Sequence, residues 1–295
     1  MSKLSGMTGF ARVTGEADWG TWAWEAKSVN GRGLDVRTNV PSGFDGVERM
    51  VKASAVKLFK RGSLQISLRI ELSSSEGEAA INMPLFSQLV STAQRAHGGD
   101  ISSEALATLM TVKGVVESGG ANLRDLALDE TVAAMLAQQG DKVLGDLAAS
   151  RSAEGETLGT ILSGLLAEMD SFAAEAVKHA SEQPGLLKSR LNKQLEELNA
   201  EKHVEPDRLA AELALTAAKA DVREELDRLK AHFVSARELL TGGSPMGRKL
   251  DFLAQELNRE ANTLCSKSVS LDLTNAGLGL KGAIDQFKEQ AANVE

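Results

Sequence analysis

Two amphipathic segments near the end of the chain, DVREELDRLKAHFVSARELL and GRKLDFLAQELNREANTLCSKS, meet through TGGSPMG, and so short a connection restricts them to an antiparallel helical hairpin. Each carries its own packing seam. Val222, Leu226, Leu229, Phe233, Ala236 and Leu240 recur at three- and four-residue intervals in the first, and Leu250, Leu253, Leu257, Ala261 and Leu264 do so in the second. The polar residues are less evenly spread than solubility requires. Asp221, Glu225, Arg228 and His232 run along one flank of the first helix. On the second, Lys249, Glu256 and Glu260 lie beside the seam, Asp251, Asn258 and Asn262 lie on the other flank, and Arg248, Gln255 and Arg259 point away. Antiparallel packing brings the Asp221–His232 stripe toward the Lys249–Glu260 stripe, which predicts a cleft edge with several carboxylates, an imidazole and cations.

That set of groups suits metal-assisted hydrolysis of a phosphodiester. Carboxylates hold a hard divalent cation such as Mg²⁺ or Mn²⁺, the cation polarises the phosphoryl group or ionises water, and Arg or Lys stabilises the charge of the in-line transition state. Imidazoles titrate near neutral pH, so His232 is placed to move a proton. The same spacing also serves surface ion pairs three and four residues apart. The wheels alone leave both readings open.

The hairpin segments resemble the C-terminal signature of the YicC/YloC family. MTGFAR, from Met7 to Arg12, and WEAKSVNGRGLDV, from Trp24 to Val36, resemble its N-terminal signature, and RSAEGETL, from Arg151 to Leu158, resembles its middle pattern of Arg, Glu-Gly and Leu. Three blocks in the same order cover essentially the whole chain. The resemblance implies a metal-dependent endoribonuclease that prefers single-stranded RNA, takes part in RNA turnover beside other RNA-decay enzymes, and assembles as a homohexamer. One departure is visible: many members read SVNHR, whereas here Gly31 lies between Asn30 and Arg32, so no role of a histidine there carries over. Cys265, where glycine or alanine is common, reads as a tolerated small residue.

Joined to the hairpin chemistry, the resemblance gives a set of expected site residues. Glu256 and Glu260 are expected to ligate Mn²⁺ or Mg²⁺, with Asp251, Asp221 or Glu225 as further carboxylates. His232, Glu225, Arg228 and Arg259 form the expected catalytic group. Arg248, Lys249, Lys267 and Arg32 are expected to contact RNA phosphates, while Asn258, Asn262 and Ser266 orient RNA or the metal shell. A non-catalytic RNA-binding adaptor that presents RNA to another nuclease is the alternative, and a ring scaffold held by intersubunit ion pairs is a third.

Composition limits the other classes. The 295 residues are 42% hydrophobic and 25% charged, as in a soluble globular protein, and no apolar run approaches a membrane span. MSKLSGMTGF has no signal-peptide core, which makes a cytoplasmic location the expectation. A single cysteine excludes a disulfide framework and cysteine-rich zinc sites, and the four histidines form no HExxH pattern. The net charge of −8 argues against a polyanionic partner, but residues 1–70 hold eleven Lys or Arg against six acids, +5, so the acidity lies in the later helices.

The patterning predicts an α+β fold: a small antiparallel sheet with one helix, then a long helical arm and a C-terminal helical region, divided at 1–150, 151–203 and 204–295. Residues 4–15 and 20–40 read as strands, with Trp22, Trp24 and Ala26 alternating, and Leu64, Ile66, Leu68 and Ile70 alternate in another. DGVERMVKASAVKLFKRG reads as a helix with Val47, Met50, Val51, Ala55, Val56 and Phe59 on its face and Gly62 as its C-cap. Trp19, Trp22 and Trp24 are either core or a base-stacking platform. SSSEGEAA reads as a loop, and ATLMTVKGVVESGG as an inter-helix turn without the ending of a phosphate loop. From Arg151 the chain is helical for longer than an average globular helix, with Pro184 and Gly185 as a bend or break, and a final amphipathic helix follows the hairpin.

Overall fold

Alternation in TWAWEAKSV puts Trp22, Trp24 and Ala26 on one face of a strand, and all three are buried in the computed structural model, which describes residues 4–73, 80–117, 123–197 and 205–295. Strands β1 (Gly9–Ala17) and β2 (Gly20–Val29) form a hairpin; β3 (Leu34–Asn39), helix α1 (Asp45–Leu58) and β4 (Gly62–Leu72) follow. The sheet order is β1-β2-β4-β3. It is mixed, not antiparallel as expected, because β3 runs parallel to β4. A strand–helix–strand connection through α1 returns the chain to the same end of the sheet, which the alternation within either strand does not reveal.

Two local expectations also change. Helix α1 ends at Leu58 with Phe59 at the cap, and Gly62 instead opens β4 at φ +111, a backbone conformation that favours glycine. Val47, Val51, Ala55 and Phe59 are buried as the spacing requires, whereas Met50 and Val56 are 58% and 51% exposed. The tryptophans belong to the core. Trp24 donates its indole N–H to the Leu136 carbonyl at 3.0 Å, Trp22 is buried, and Trp19 packs against the same cluster, so none is laid out as a stacking platform.

A second, two-stranded sheet joins β5 (Ala80–Ile81) to β6 (Val116–Glu117) around helices α2 (Met83–His97) and α3 (Ser103–Met110), before the short α4 (Leu123–Leu128). The turn expected from ATLMTVKGVVESGG begins after α3, with Gly114 at φ +94. Its closing Ser118–Gly120 and most of the SSSEGEAA loop lie outside the described residues.

Helix α5 (Glu130–Glu197) is 68 residues long, about 100 Å at the usual helical rise. One stripe along it serves two cores. Leu136, Val143, Leu144 and Leu147 pack under the sheet with α1, while Leu158, Leu162, Leu166, Met169 and Ala173 pack among α7 (Arg223–Gly242), α8 (Gly247–Lys267) and α9 (Leu271–Ala291). Pro184 does not break α5; the helix runs through it with the proline on its exposed side. Beyond Gln183, no described side chain of α5 or of α6 (Pro206–Lys219) is buried. Among the described residues no helix is long and apolar enough to cross a membrane.

Between the two cores the stripe carries a charge. Arg151 is fully buried, donating to the carbonyls of Gly6 at 2.7 Å and Arg61 at 3.1 Å and to the Ser28 hydroxyl at 3.3 Å, with its third nitrogen 3.2 Å from a Glu295 carboxylate oxygen. Phe59 stacks under the guanidinium at 4.9 Å. Burial pushes the Arg151 pKa down, and the Glu295 carboxylate opposes that shift; guanidinium stays charged regardless. Glu295 also accepts from the amides of Lys60 and Arg61 through its side chain and from those of Met246 and Gly247 through its carbonyl. Removing one partner strands the other charge, so Arg151→Met is expected to cost about 3–5 kcal/mol in urea unfolding. A loss below about 1 kcal/mol, the range of a surface pair, would show that the network carries little of the stability.

Candidate metal centre

The seams of α7 and α8 dictate what faces what. With Leu226, Leu229, Phe233 and Ala236 buried against Leu250, Leu253, Leu257, Ala261 and Leu264, the flank residues beside them are turned toward each other across the helix pair. The result is a ladder. At one end Lys267 donates to Glu225 at 2.7 Å and to the Asp221 carbonyl at 3.0 Å; in the middle Arg228 reaches Glu260 at 3.4 Å and Glu224 on its own helix; beyond it His232 meets Glu256 and Glu260.

His232, Glu256 and Glu260 each offer one ligand atom, and these atoms all lie within 4.8 Å of one another. Atoms bound to one ion at roughly 2.0–2.2 Å lie no more than about 4.4 Å apart, so a small side-chain rotation closes the set. The charges around the two acids are unevenly matched. Among the described residues, Glu260 is 4% exposed with Arg228, half-exposed and shared with Glu224, as its one ion-pair partner, and Glu256 is paired only with the largely exposed Arg259 at 3.9 Å. Two carboxylates are thus held close together with too little positive charge beside them. A ladder serving stability alone would set each buried acid against its own base, as Lys267 and Glu225 do. Even there, one Glu225 carboxylate oxygen is buried without a partner.

The remaining expected residues are placed elsewhere. Asp221 is held by the Arg223 guanidinium and amide, which lowers its pKa to about 2, so the side chain is ionised and its oxygens are engaged away from the triad. Asp251 lies outside the cluster, one turn from Gln255, whose amide it accepts at 3.2 Å. Asn258 donates to Asp285 on α9 and Asn262 donates to Asn258, each at 2.8 Å, so both face the opposite flank. Ser266 bonds to the Thr263 carbonyl of its own helix. Lys249 is exposed with no ion pair among the described residues, and Arg248 and Arg32 line a separate cavity. Sequence reasoning did not single out Glu224, which fixes Arg228, or Asp285, which holds Asn258; the i, i+4 spacing of Glu224 and Arg228 was the available signal for the first. Cys265 packs at the α8–α9 contact, where a Cβ on Gly277 would stand 2.6 Å from its sulfur, and burial raises its thiol pKa.

This two-core chain, with its acid–imidazole cluster across a helix pair, is matched by known proteins along nearly its whole length. Residues 4–160 match the family described as Endoribonuclease YicC-like, N-terminal region, and residues 176–295 match Endoribonuclease YicC-like, C-terminal. The chain belongs to this YicC-like endoribonuclease family. It is 36% identical to a protein of Haemophilus influenzae named probable endoribonuclease YicC, covering 98% of this chain and 99% of the relative. A protein of the same name from Clostridioides difficile is 27% identical over 98% of this chain and 99% of its own length.

The crowding of Glu256 and Glu260 has a measurable consequence. Without divalent metal, Glu256→Gln is expected to raise stability by about 1 kcal/mol, because it relieves repulsion at the cost of a weak surface pair. Thermal unfolding in chelator reads this directly. A fall in stability would show that the carboxylate is already compensated.

Proposed function

We propose that this chain is a metal-dependent endoribonuclease that cleaves single-stranded RNA at the α7–α8 cluster, acting in RNA turnover in the cytoplasm. The observation that supports it most is the convergence of His232, Glu256 and Glu260 at one point with too little basic charge around them. Two carboxylates and an imidazole suit Mn²⁺ more than Mg²⁺, since nitrogen ligands are better matched to the transition metal and Mg²⁺ prefers oxygen. A cation bound there supplies Lewis-acid polarisation of the phosphoryl group and acidifies water.

The chain's own residues divide the remaining work. Glu256 and Glu260 hold the cation, and His232 completes the set through a ring nitrogen, a role that competes with proton transfer. Arg228, fixed between Glu224 and Glu260, presents its guanidinium at the edge of the cluster, where charge develops on the phosphoryl oxygens. Arg259, largely exposed beside Glu256, is free to meet the incoming strand. Lys267 and Glu225 hold the two helices in register. Homohexameric assembly belongs to the same reading, and exposed apolar residues on α5 and α6, Leu186 and Leu215, offer it a surface.

Purified protein incubated with labelled single-stranded RNA is expected to make internal cuts with Mn²⁺, more slowly with Mg²⁺, and none in EDTA. Glu256→Ala is expected to lower the rate at least about a hundredfold, since even groups behind metal ligands cost 10–100-fold when removed. RNA retained without cutting in every lane would overturn the hydrolase reading in favour of the adaptor.

A further inference from the structure

A second feature of α8 lies at its other end. The loop between β2 and β3, the residue preceding β4 and the first turn of α8 border an open cavity of about 420 Å³ lined by Arg32, Arg61 and Arg248, with Asp251 and Asn30 on its wall. Three arginines from three separate parts of the sequence line it. Arg61 is held in place, donating to the Gly31 carbonyl at 3.3 Å, and its backbone carbonyl is tied to Arg151. Gly247 lets it lie flat against α8, because a Cβ there would stand 2.6 Å from an Arg61 nitrogen and 2.1 Å from the Val294 carbonyl. Arg32 and Arg248 are exposed and make no ion pair or side-chain hydrogen bond among the described residues. Asp251 is the only carboxylate among the cavity's lining residues, and it already accepts from Gln255.

We infer that this cavity is a phosphate-binding subsite that anchors an internal phosphodiester of RNA away from the bond being cut. Guanidinium forks match phosphate oxygens in bidentate geometry, and several cations facing one cavity with a single acid leave a charge deficit that a phosphate fills. Along α8, Arg248 precedes Glu256 and Glu260 by eight and twelve residues, a separation of about 12–18 Å by helical rise, which sets the subsite a few nucleotides from the metal cluster. The basic surplus of residues 1–70 thereby acquires a location: Arg32 and Arg61 come from that segment, and they are joined by an arginine from the acidic half of the chain.

The inference rests on RNA as the substrate but not on catalysis, so its test is binding in EDTA, where no cutting occurs. A fluorescein-labelled oligouridylate is titrated against wild type and the Arg32→Ala/Arg248→Ala double variant at several salt concentrations. The double variant is expected to bind roughly tenfold or more weakly. The slope of log K against log salt is expected to fall by roughly 0.7 for each phosphate that the variant no longer neutralises. Arg95→Ala/Lys142→Ala, which removes the same two positive charges from exposed positions of α2 and α5 outside the cavity, is the control and is expected to leave binding unchanged; an equal loss there would make the effect one of net charge and overturn the subsite. An unchanged affinity and slope in the double variant would overturn it as well. Oligomers with and without a 5′-phosphate separate the two sources of phosphate. Equal losses support an internal phosphodiester, and a loss confined to the 5′-phosphorylated oligomer replaces it with end recognition. Normal cleavage beside unchanged binding would remove the subsite alone, whereas absent cleavage beside the expected binding loss would remove the nuclease reading alone.

Discussion

The contact on which the rest of the molecule depends is the buried pairing of Arg151 with Glu295. Arg151 interrupts the apolar stripe of α5 where the sheet core gives way to the helical core, and it takes its partners from both sides: Gly6, Ser28, Arg61 and Glu295. Taking two charges out of water costs several kcal/mol per ion, and it is offset only when nearly every donor and acceptor is used. Here two of the three guanidinium nitrogens donate to three oxygens, and the third, buried without a hydrogen bond, faces the Glu295 carboxylate as an ion pair. The consequence is positional, since the Glu295 carbonyl receives the amides of Met246 and Gly247 and so fixes where α8 begins relative to the sheet.

From that fixed start, everything on α8 follows by helical repeat. Its first turn faces Arg61 and the β2–β3 loop; its middle puts Glu256 and Glu260 against His232 and Arg228 of α7; its end brings Lys267 to Glu225. The seam of leucines that buries α8 also turns both acids inward, and Glu260 is carried to 4% exposure with incomplete compensation. A protein tolerates such crowding when the deficit is filled in use. The ladder therefore combines one stable rung, Lys267 with Glu225, with one rung left short of positive charge.

How much of this was legible in the sequence depends on whether the information was local. The hairpin seams, the facing flanks and the meeting of His232 with Glu256 and Glu260 follow from the repeat of a helix and a short connection, both readable from spacing. Asn258 and Asn262 on the opposite flank were equally legible as positions, but their engagement with Asp285 depends on α9, which no wheel of α8 contains. The parallel pairing of β3 with β4 was hidden because alternation fixes a strand's faces and not its direction. Arg151 was visible only as part of a motif; its burial needs partners 90 to 145 positions away. The same is true of the arginine cavity, where Arg61 appeared only as one of many basic residues in an N-terminal segment.

The central claim is that His232, Glu256 and Glu260 hold a divalent cation at the site of RNA cleavage, and anomalous scattering from crystals soaked in Mn²⁺ tests it most directly. The account predicts a peak about 2.0–2.2 Å from one ring nitrogen and from an oxygen of each glutamate, lost in crystals of Glu256→Ala. A peak at another cluster, or none at saturating Mn²⁺, would contradict it.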